Sequence, residues 1–386
     1  MPARHGRPWR GLAAAAALVA AACSDSTGPQ AHLASPQQLS SDLQAVSGVL
    51  QSSVFQSFGA VGTATGSPAA ASTPAGALLV AAPIVTPRTS GQAYADAPRR
   101  LQALRLAART LGSGISASVI PSTVLGKTFV WDVGTHQYVE DATATPAAPT
   151  NGARIILYEV NVSTGTVIEP TTAVGYVDLL DESTTGPAVD KLHVIVKDGT
   201  PASPGPTTYA DYTISGSITG SPATAFNASA VGFVSDGIYT LSFNASFTAT
   251  NLDTDNPDAQ IDVTWDLDNP VVHVELHEAV ATADVDHATI TINFSVTRGT
   301  ETVSVSGTVT VDFLTVTATV NITVQVNGVA YARITGPVSD AQRRHANGSA
   351  VSAEEDQALF DLFLLPLDME IAIESLFTPS EHLMGG

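Results

Sequence analysis

Ala288-Thr289-Ile290-Thr291-Ile292-Asn293-Phe294-Ser295-Val296-Thr297 decides the fold, because apolar and polar side chains alternate without a break. A strand turns successive side chains to opposite faces, so this spacing predicts a strand with one dry and one wet face. The pattern spreads both ways. Val303, Val305, Val309, Val311 and Phe313 repeat it, as do Val316, Ala318, Val320, Ile322, Val324 and Val326. Upstream, Tyr239, Leu241, Phe243, Ala245, Phe247 and Ala249 line one face. One-sided alternation belongs to antiparallel sheets, since strands of buried parallel sheets are apolar on both faces. Asn327-Gly328, between Val326 and Val329, is a two-residue hairpin turn. Asp198-Gly199, Asp236-Gly237 and Arg298-Gly299 read as further turns. Long strands in close succession predict a meander of about 12 to 14 strands between Val124 and Thr335.

Helical signals flank this region. Ser35-Pro36-Gln37-Gln38 has the form of a helix start, with Ser35 as cap and Pro36 in the first turn. Leu39, Leu43, Val46, Leu50, Val54 and Phe58 follow at helical spacing, and Gly59 and Gly62 end the stripe. Residues 60–95 are rich in Ala, Gly, Ser, Thr and Pro, a linker with one apolar patch from Leu78 to Val85. Asp96 caps a second helix running to Gly112. It carries Arg99, Arg100, Arg105 and Arg109 and is expected to dock on the acidic β region of its own chain. Ser352-Ala353-Glu354-Glu355 is a capping box that opens an apolar helix through Leu359, Phe360 and Leu362 to Leu365. Pro366 kinks or ends it, and Met369, Ile371, Ile373, Leu376 and Phe377 continue the apolar character. A sheet with one dry face must cover it. The expected fold class is therefore α+β and β-dominated: a long antiparallel meander curled into an open half-barrel or cup, with N- and C-terminal amphipathic helices on its apolar face.

The start of the chain addresses location. Arg4, Arg7 and Arg10 precede an uncharged run from Gly11 to Ala22, and Cys23 follows. Positive charge and then a short apolar stretch is the pattern of a secretory signal peptide. The run is too short for a transmembrane helix, which needs roughly 20 apolar residues. Leu18-Val19-Ala20-Ala21-Ala22-Cys23 resembles the lipobox of bacterial lipoproteins, with Ala20 where the usual Leu stands. The resemblance covers only about the first 25 residues. It implies cleavage before Cys23, acylation of that cysteine, and, with Ser24 rather than Asp next, transfer to the outer membrane; Asp25 one place later weakens that last sign. Cys23 is the only cysteine, so no disulfide framework competes for it.

The charge excludes one class of partner. The 386 residues carry a formal charge of −20, and 36 Asp and Glu face 16 Lys and Arg. Removing residues 1–22 takes three Arg with it and leaves −23 (13 − 36). Such a surface repels the phosphates of nucleic acid, which need basic patches.

No phosphate loop, dinucleotide fingerprint or Gly-x-Ser-x-Gly elbow occurs; Gly216-Ser217-Ile218-Thr219-Gly220 has the glycines but Ile at its centre. Glu275 and Glu278 are close in sequence without a shared target, so no catalytic pair is assigned and no enzyme is expected. His273, Glu275 and His277 point the same way on a strand, and two His with one carboxylate is a zinc set. Four residues along a strand separate the imidazoles by about 13 Å, however, which one ion does not span. Asp253, Asp255 and Asp258 resemble the start of a calcium loop, but Pro257 occupies a ligand place and Thr264 stands where the bidentate Glu belongs. These six residues are weak metal candidates, and neither a metal nor another cofactor is expected.

The expected organisation is a signal peptide (1–22), an acylated tether (23–34), N-terminal helices and linker (35–112), the meander (113–340) and a C-terminal helical cover (341–386). Residues 35–386 are expected to form one domain. In architecture the whole resembles the half-barrel lipid- and lipoprotein-binding proteins of bacterial envelopes. That implies a non-enzymatic lipoprotein, held to the bilayer by acylated Cys23, that binds an apolar ligand or lipidated envelope protein in its cup. A structural or adhesive surface lipoprotein with a solid core is the alternative. A transmembrane β-barrel ranks third, because the chain has only three Trp and its aromatics form no girdles.

Overall fold

The computed structural model describes residues 31–49, 119–366 and Met369, apart from 162, 163, 165, 186, 187, 221, 222, 285, 313 and 316. Cys23, the linker, the Asp96–Gly112 helix and the chain beyond Met369 lie outside the described residues, so the expectations placed on them are not addressed by it.

Helix α1 (Pro36–Gly48) opens the fold. Ser35 caps it as expected, its side chain accepting from the Gln38 N–H. Seven short to medium strands follow: β1 (Thr128–Asp132), β2 (Gln137–Glu140), β3 (Gly152–Tyr158), β4 (Val160–Asn161), β5 (Thr166–Val167), β6 (Ala173–Asp181) and β7 (Thr184–Thr185). The long strands come next: β8 (Ala188–Thr200), β9 (Ser203–Thr219), β10 (Ala225–Ser235), β11 (Thr240–Thr250), β12 (Asp258–Asp268) and β13 (Val271–Thr282). They continue as β14 (His287–Arg298), β15 (Glu301–Asp312), β16 (Thr317–Val326) and β17 (Val329–Pro337), and the short β18 (Gln342–His345) closes the series. Helix α2 occupies 353–366. Its capping box forms, with the Ser352 N–H donating to Glu355 Oε2 (2.8 Å) and the Glu355 N–H to Ser352 Oγ (3.2 Å).

One 16-stranded sheet holds all of these strands except β4 and β5, which form a ribbon of their own. Its order is β18-β17-β16-β15-β14-β13-β12-β11-β10-β9-β8-β6-β3-β1-β2, with β7 beside β8, so the sheet is open and has two edges. From β8 to β18 it is the expected antiparallel meander. Several expectations are corrected. The strands outnumber the roughly 12 to 14 read from alternation, because β1, β2, β4, β5 and β7 are too short to show a period. The sheet is also mixed, since β1 lies parallel to β3. The strand region runs on to His345, past the expected boundary at 340.

Turn chemistry accounts for the register. Asn327 and Gly328 both adopt positive φ (51° and 79°), which a two-residue turn between right-twisted strands requires. Asp198-Gly199 is not a turn: Thr200 pairs with Ser203, and Gly199 lies in a bulge where the β8–β9 register shifts.

The dry face is continuous. Leu241, Trp265, Val274, Val296, Val303 and Val326 are all at most 5% exposed, and they share one buried cluster with Leu39, Leu43 and Val46 of α1 and Leu359, Leu362 and Phe363 of α2. Complete burial of such a side chain contributes about 1.5–3 kcal/mol, so this cluster is the main source of stability. Gly307 takes a dry-face slot between Ile292 and Ile322. A Cβ there would stand 2.2 Å from the Asn321 carbonyl oxygen, so only glycine allows the two strands to come this close.

The connections alternate between two ends. At one, the tight-turn end, lie β8–β9, β10–β11, β12–β13, β14–β15 and β16–β17. At the other, the acidic end, lie β9–β10, β11–β12, β13–β14 and β15–β16.

Candidate functional site

The wet face of the β12–β13 hairpin holds a group of titratable side chains that includes the sequence-predicted His273, Glu275 and His277. Its register grows from the two-residue turn at Asn269-Pro270: counting outward pairs Asp268 with Val271, Asp266 with His273, and Asp262 with His277. His273, Glu275 and His277 share one face, as their spacing predicts. The structure does not bring them to one point. His273 Nδ1 is 2.6 Å from Asp266 Oδ1, and its Nε2 is 3.2 Å from Glu275 Oε1. His277 Nδ1 turns instead to Asp262 Oδ1 at 2.6 Å. Each imidazole is thus held by its own cross-strand aspartate. Among the described residues, no group of three His, Cys, Asp or Glu side chains could hold a metal ion.

Electrostatics follow this pairing. The hydrogen bond to Asp266 holds His273 protonated to higher pH than a free imidazole, against the opposing effect of partial burial. Burial pushes the Asp262 carboxyl up, but hydrogen bonds from His277 and Gln260 outweigh it and leave the group below its ordinary value. Asp262 and Asp266 were missed in the sequence reading. Counting outward from Asn269-Pro270 was the signal that could have found them.

The Asp253–Asp258 segment joins β11 to β12. Its oxygens serve the turn: Asn251 Nδ2 donates to Asp258 Oδ2 (2.9 Å), and Thr254 Oγ1 donates to the Asn251 carbonyl (2.9 Å). Pro257 is buried and breaks the alternation of oxygen ligands. Asp253 and Asp255 are exposed. Glu275 and Glu278 lie on opposite faces of β13, the first exposed and the second 1% exposed, so they do not flank a common substrate.

Polar side chains run across the whole wet face. One row joins Lys191, Ser215, Ser229, Ser246, Asp262 and His277 from β8 to β13. It continues through Asn293, Ser306, Thr323 and Arg333. Neighbours in such a row are about 4.8 Å apart.

The dry face carries buried acids, among them Asp190, Glu278 and Glu301. Asp190 pairs across the sheet with Gly216 and is 4% exposed. Among the described residues, neither of its carboxylate oxygens has a hydrogen-bond partner. Burial, and then the charge of Asp181, pushes its pKa up to about 6. Trp265 Nε1 also lacks a partner there.

Ion pairs join both helices to the sheet. Arg298 binds Glu301 Oε2 (2.7 Å), Asp42 Oδ2 of α1 (3.2 Å) and the Ser35 carbonyl (3.1 Å). Glu301 Oε1 accepts from the Ala34 N–H at 2.6 Å. Arg343 clasps Asp356 of α2 through two hydrogen bonds (2.6 and 3.0 Å), and its guanidinium carbon lies 5.5 Å from the Phe360 ring centre. Tyr331 Oη donates to Glu355 Oε1 at 2.8 Å.

No helix among the described residues is long and apolar enough to cross a membrane. Compared with known proteins, the chain matches no family model, no curated sequence and no solved structure.

Proposed function

We propose that the chain is a non-enzymatic lipoprotein of the bacterial envelope, anchored through acylated Cys23 in the outer membrane, with a solid core and its polar sheet face as the working surface. The sheet curls about its dry side into an open half-barrel, and α1 and α2 are its permanent cover. One observation carries this reading: the dry-face side chains from β6 to β17 are buried by the chain itself, together with those of both helices. The ion pairs from Arg298 and Arg343 to the helices support the cover, and glycine at Gly307 supports the curl. What stays accessible is a broad array of Ser, Thr, Asn, Asp and His, suited to polar contacts with an envelope protein or polymer.

Retention of an apolar ligand on the dry face is the second reading. The unpartnered Asp190 carboxyl favours it for a ligand whose apolar body carries a hydrogen-bond donor, since a buried acid without a partner is costly unless something answers it. Native mass spectrometry of residues 24–386, made without acylation, separates the two. A single mass equal to that of the polypeptide supports the solid core. A stoichiometric co-purified lipid sinks it in favour of the ligand. The anchor is tested by Cys23→Ala, which is expected to leave the membrane fraction; full retention there would end the lipoprotein reading.

A further inference from the structure

The tight-turn end of the sheet has the wrong surface for an end that faces only water. The exposed large apolar side chains among the described residues are Val133, Val139, Ile168, Val231, Ile238, Tyr239, Val271, Leu314 and Val329. Six of these nine lie at the tight-turn end. Ile238, Tyr239, Val271 and Val329 sit in or beside the β10–β11, β12–β13 and β16–β17 turns. Val133 follows β1, and Ile168 bonds back to Glu159 beyond the same end of β3. Ile238 is 76% exposed and Val271 74%, so these are projecting side chains and not the margin of the core. Leu314 alone stands at the acidic end.

Charge divides the same way. In and beside the meander's turns, the acidic end carries Asp253, Asp255, Asp258, Asp284, Asp286 and Asp312, a formal −6. The tight-turn end carries Asp236, Asp268 and Glu301 against Arg298, a formal −2. Asp236 Oδ1 accepts from the Ile238 and Tyr239 N–H groups, Asp268 Oδ1 accepts from the Thr240 N–H, and Glu301 holds Arg298.

The chain also enters the fold at this end. Ala34 and Ser35 are bonded to Glu301 and Arg298, which form the β14–β15 turn. Eleven residue-to-residue steps lead from Cys23 to Ala34 (34 − 23). Fully extended, a chain of that length reaches at most about 36–40 Å. An 11-residue strand such as β11 is about 36 Å long. The tether therefore holds the tight-turn end near the bilayer, and the acidic end comes that close only when the tether is almost fully stretched.

We infer that the tight-turn end is a membrane-docking face: Ile238, Tyr239, Val271 and Val329 dip into the interface of the bilayer that holds the Cys23 lipid, while the acidic loops point away. Apolar side chains at such an interface enter about 5–10 Å, to the headgroup–acyl boundary. The acidic end is unsuited to this contact, because anionic headgroups repel it. The inference rests on acylation of Cys23, and its test separates the two.

Cys23 is the only cysteine and is blocked once acylated, so a thiol-reactive fluorophore marks a single introduced cysteine in the full-length acylated protein. Ile238→Cys and Val271→Cys report on the tight-turn end, and Ala283→Cys, an exposed position between β13 and β14, reports on the acidic end. Each labelled protein is mixed with phosphatidylcholine–phosphatidylglycerol vesicles containing a lipid spin-labelled near the headgroup, and flotation and quenching are read on the same sample. Flotation, with the 238 and 271 labels quenched several-fold more than the 283 label, is the expected result. Flotation with equal quenching overturns the orientation and leaves the anchor standing. Absence of flotation overturns both. Shielding of the 238 label without vesicles, unchanged when they are added, would show a second copy on this face and overturn the inference.

Discussion

Replacing Asp190 by Asn should stabilise the protein at neutral pH and leave it unchanged in acid. Asp190 is buried on the dry face, with neither oxygen hydrogen-bonded among the described residues. Burial and the nearby Asp181 raise its pKa from 3.8 to about 6. The folded pKa thus exceeds the unfolded one, so the folded state binds the proton more tightly. The stability from this group is complete below the unfolded value and is lost as pH rises from about 4 to about 6. A shift of about two units corresponds to about 3 kcal/mol between the two protonation states. Asn keeps the shape and cannot ionise. Asp190→Asn should therefore match the wild type near pH 3, below the unfolded value, and exceed it by about 3 kcal/mol at pH 8. Urea unfolding of residues 24–386 at the two pH values measures this directly, and with a slope of about 3 kcal/mol/M the midpoint at pH 8 should rise by about 1 M. Other carboxylates titrate alike in both proteins and cancel. A variant no more stable than the wild type at pH 8, or a gap of equal size at both pH values, would refute the argument.

Four further outcomes are expected. Arg298→Ala leaves Asp42 and Glu301 buried without their common cation, and should lower unfolding free energy by about 3–5 kcal/mol; a loss under 1 kcal/mol contradicts the cover proposed for α1. Truncation after Ala350 removes α2 with Leu359, Leu362 and Phe363, and should leave an unfolded or aggregated chain in circular dichroism and light scattering, whereas a folded product that takes up an apolar dye would make α2 a lid. By NMR, His273 should titrate above the ordinary imidazole value and return towards it in Asp266→Asn, because the hydrogen bond that His273 donates to Asp266 is the main cause of its shift. Elemental analysis of the purified protein should give no stoichiometric zinc or calcium; one tightly held ion per chain would overturn the reading of His273, Glu275, His277 and the Asp253–Asp258 loop.

Local patterns were legible in the sequence because the physics behind them is local. Alternation sets the two faces of β14, since its period is the geometry of a single strand. Asn327-Gly328 places its own turn because two positive φ angles are a property of those two residues. The Ser352–Glu355 box caps α2 within four residues. Asp198-Gly199 misled because a bulge and a turn ask for the same glycine, and only pairing with β9 distinguishes them.

Tertiary structure decided what depends on distant parts of the chain. Arg298 reads as a turn residue, yet its partner Asp42 is 256 positions away. His273 and His277 look like a metal pair until Asp266 and Asp262 are set opposite them by strand register. The parallel pairing of β1 with β3 leaves no trace in either strand, because the direction of a pairing is a relation between two strands and not a pattern within one. Asp190 sits two residues before Leu192 in an alternating stretch and could face either way from composition alone; its burial follows from the face that Leu192 and Val194 select. The two unlike ends of the sheet emerge only when the turns are sorted by the direction of their strands, which brings Ile238, Val271 and Val329 together from positions far apart in sequence.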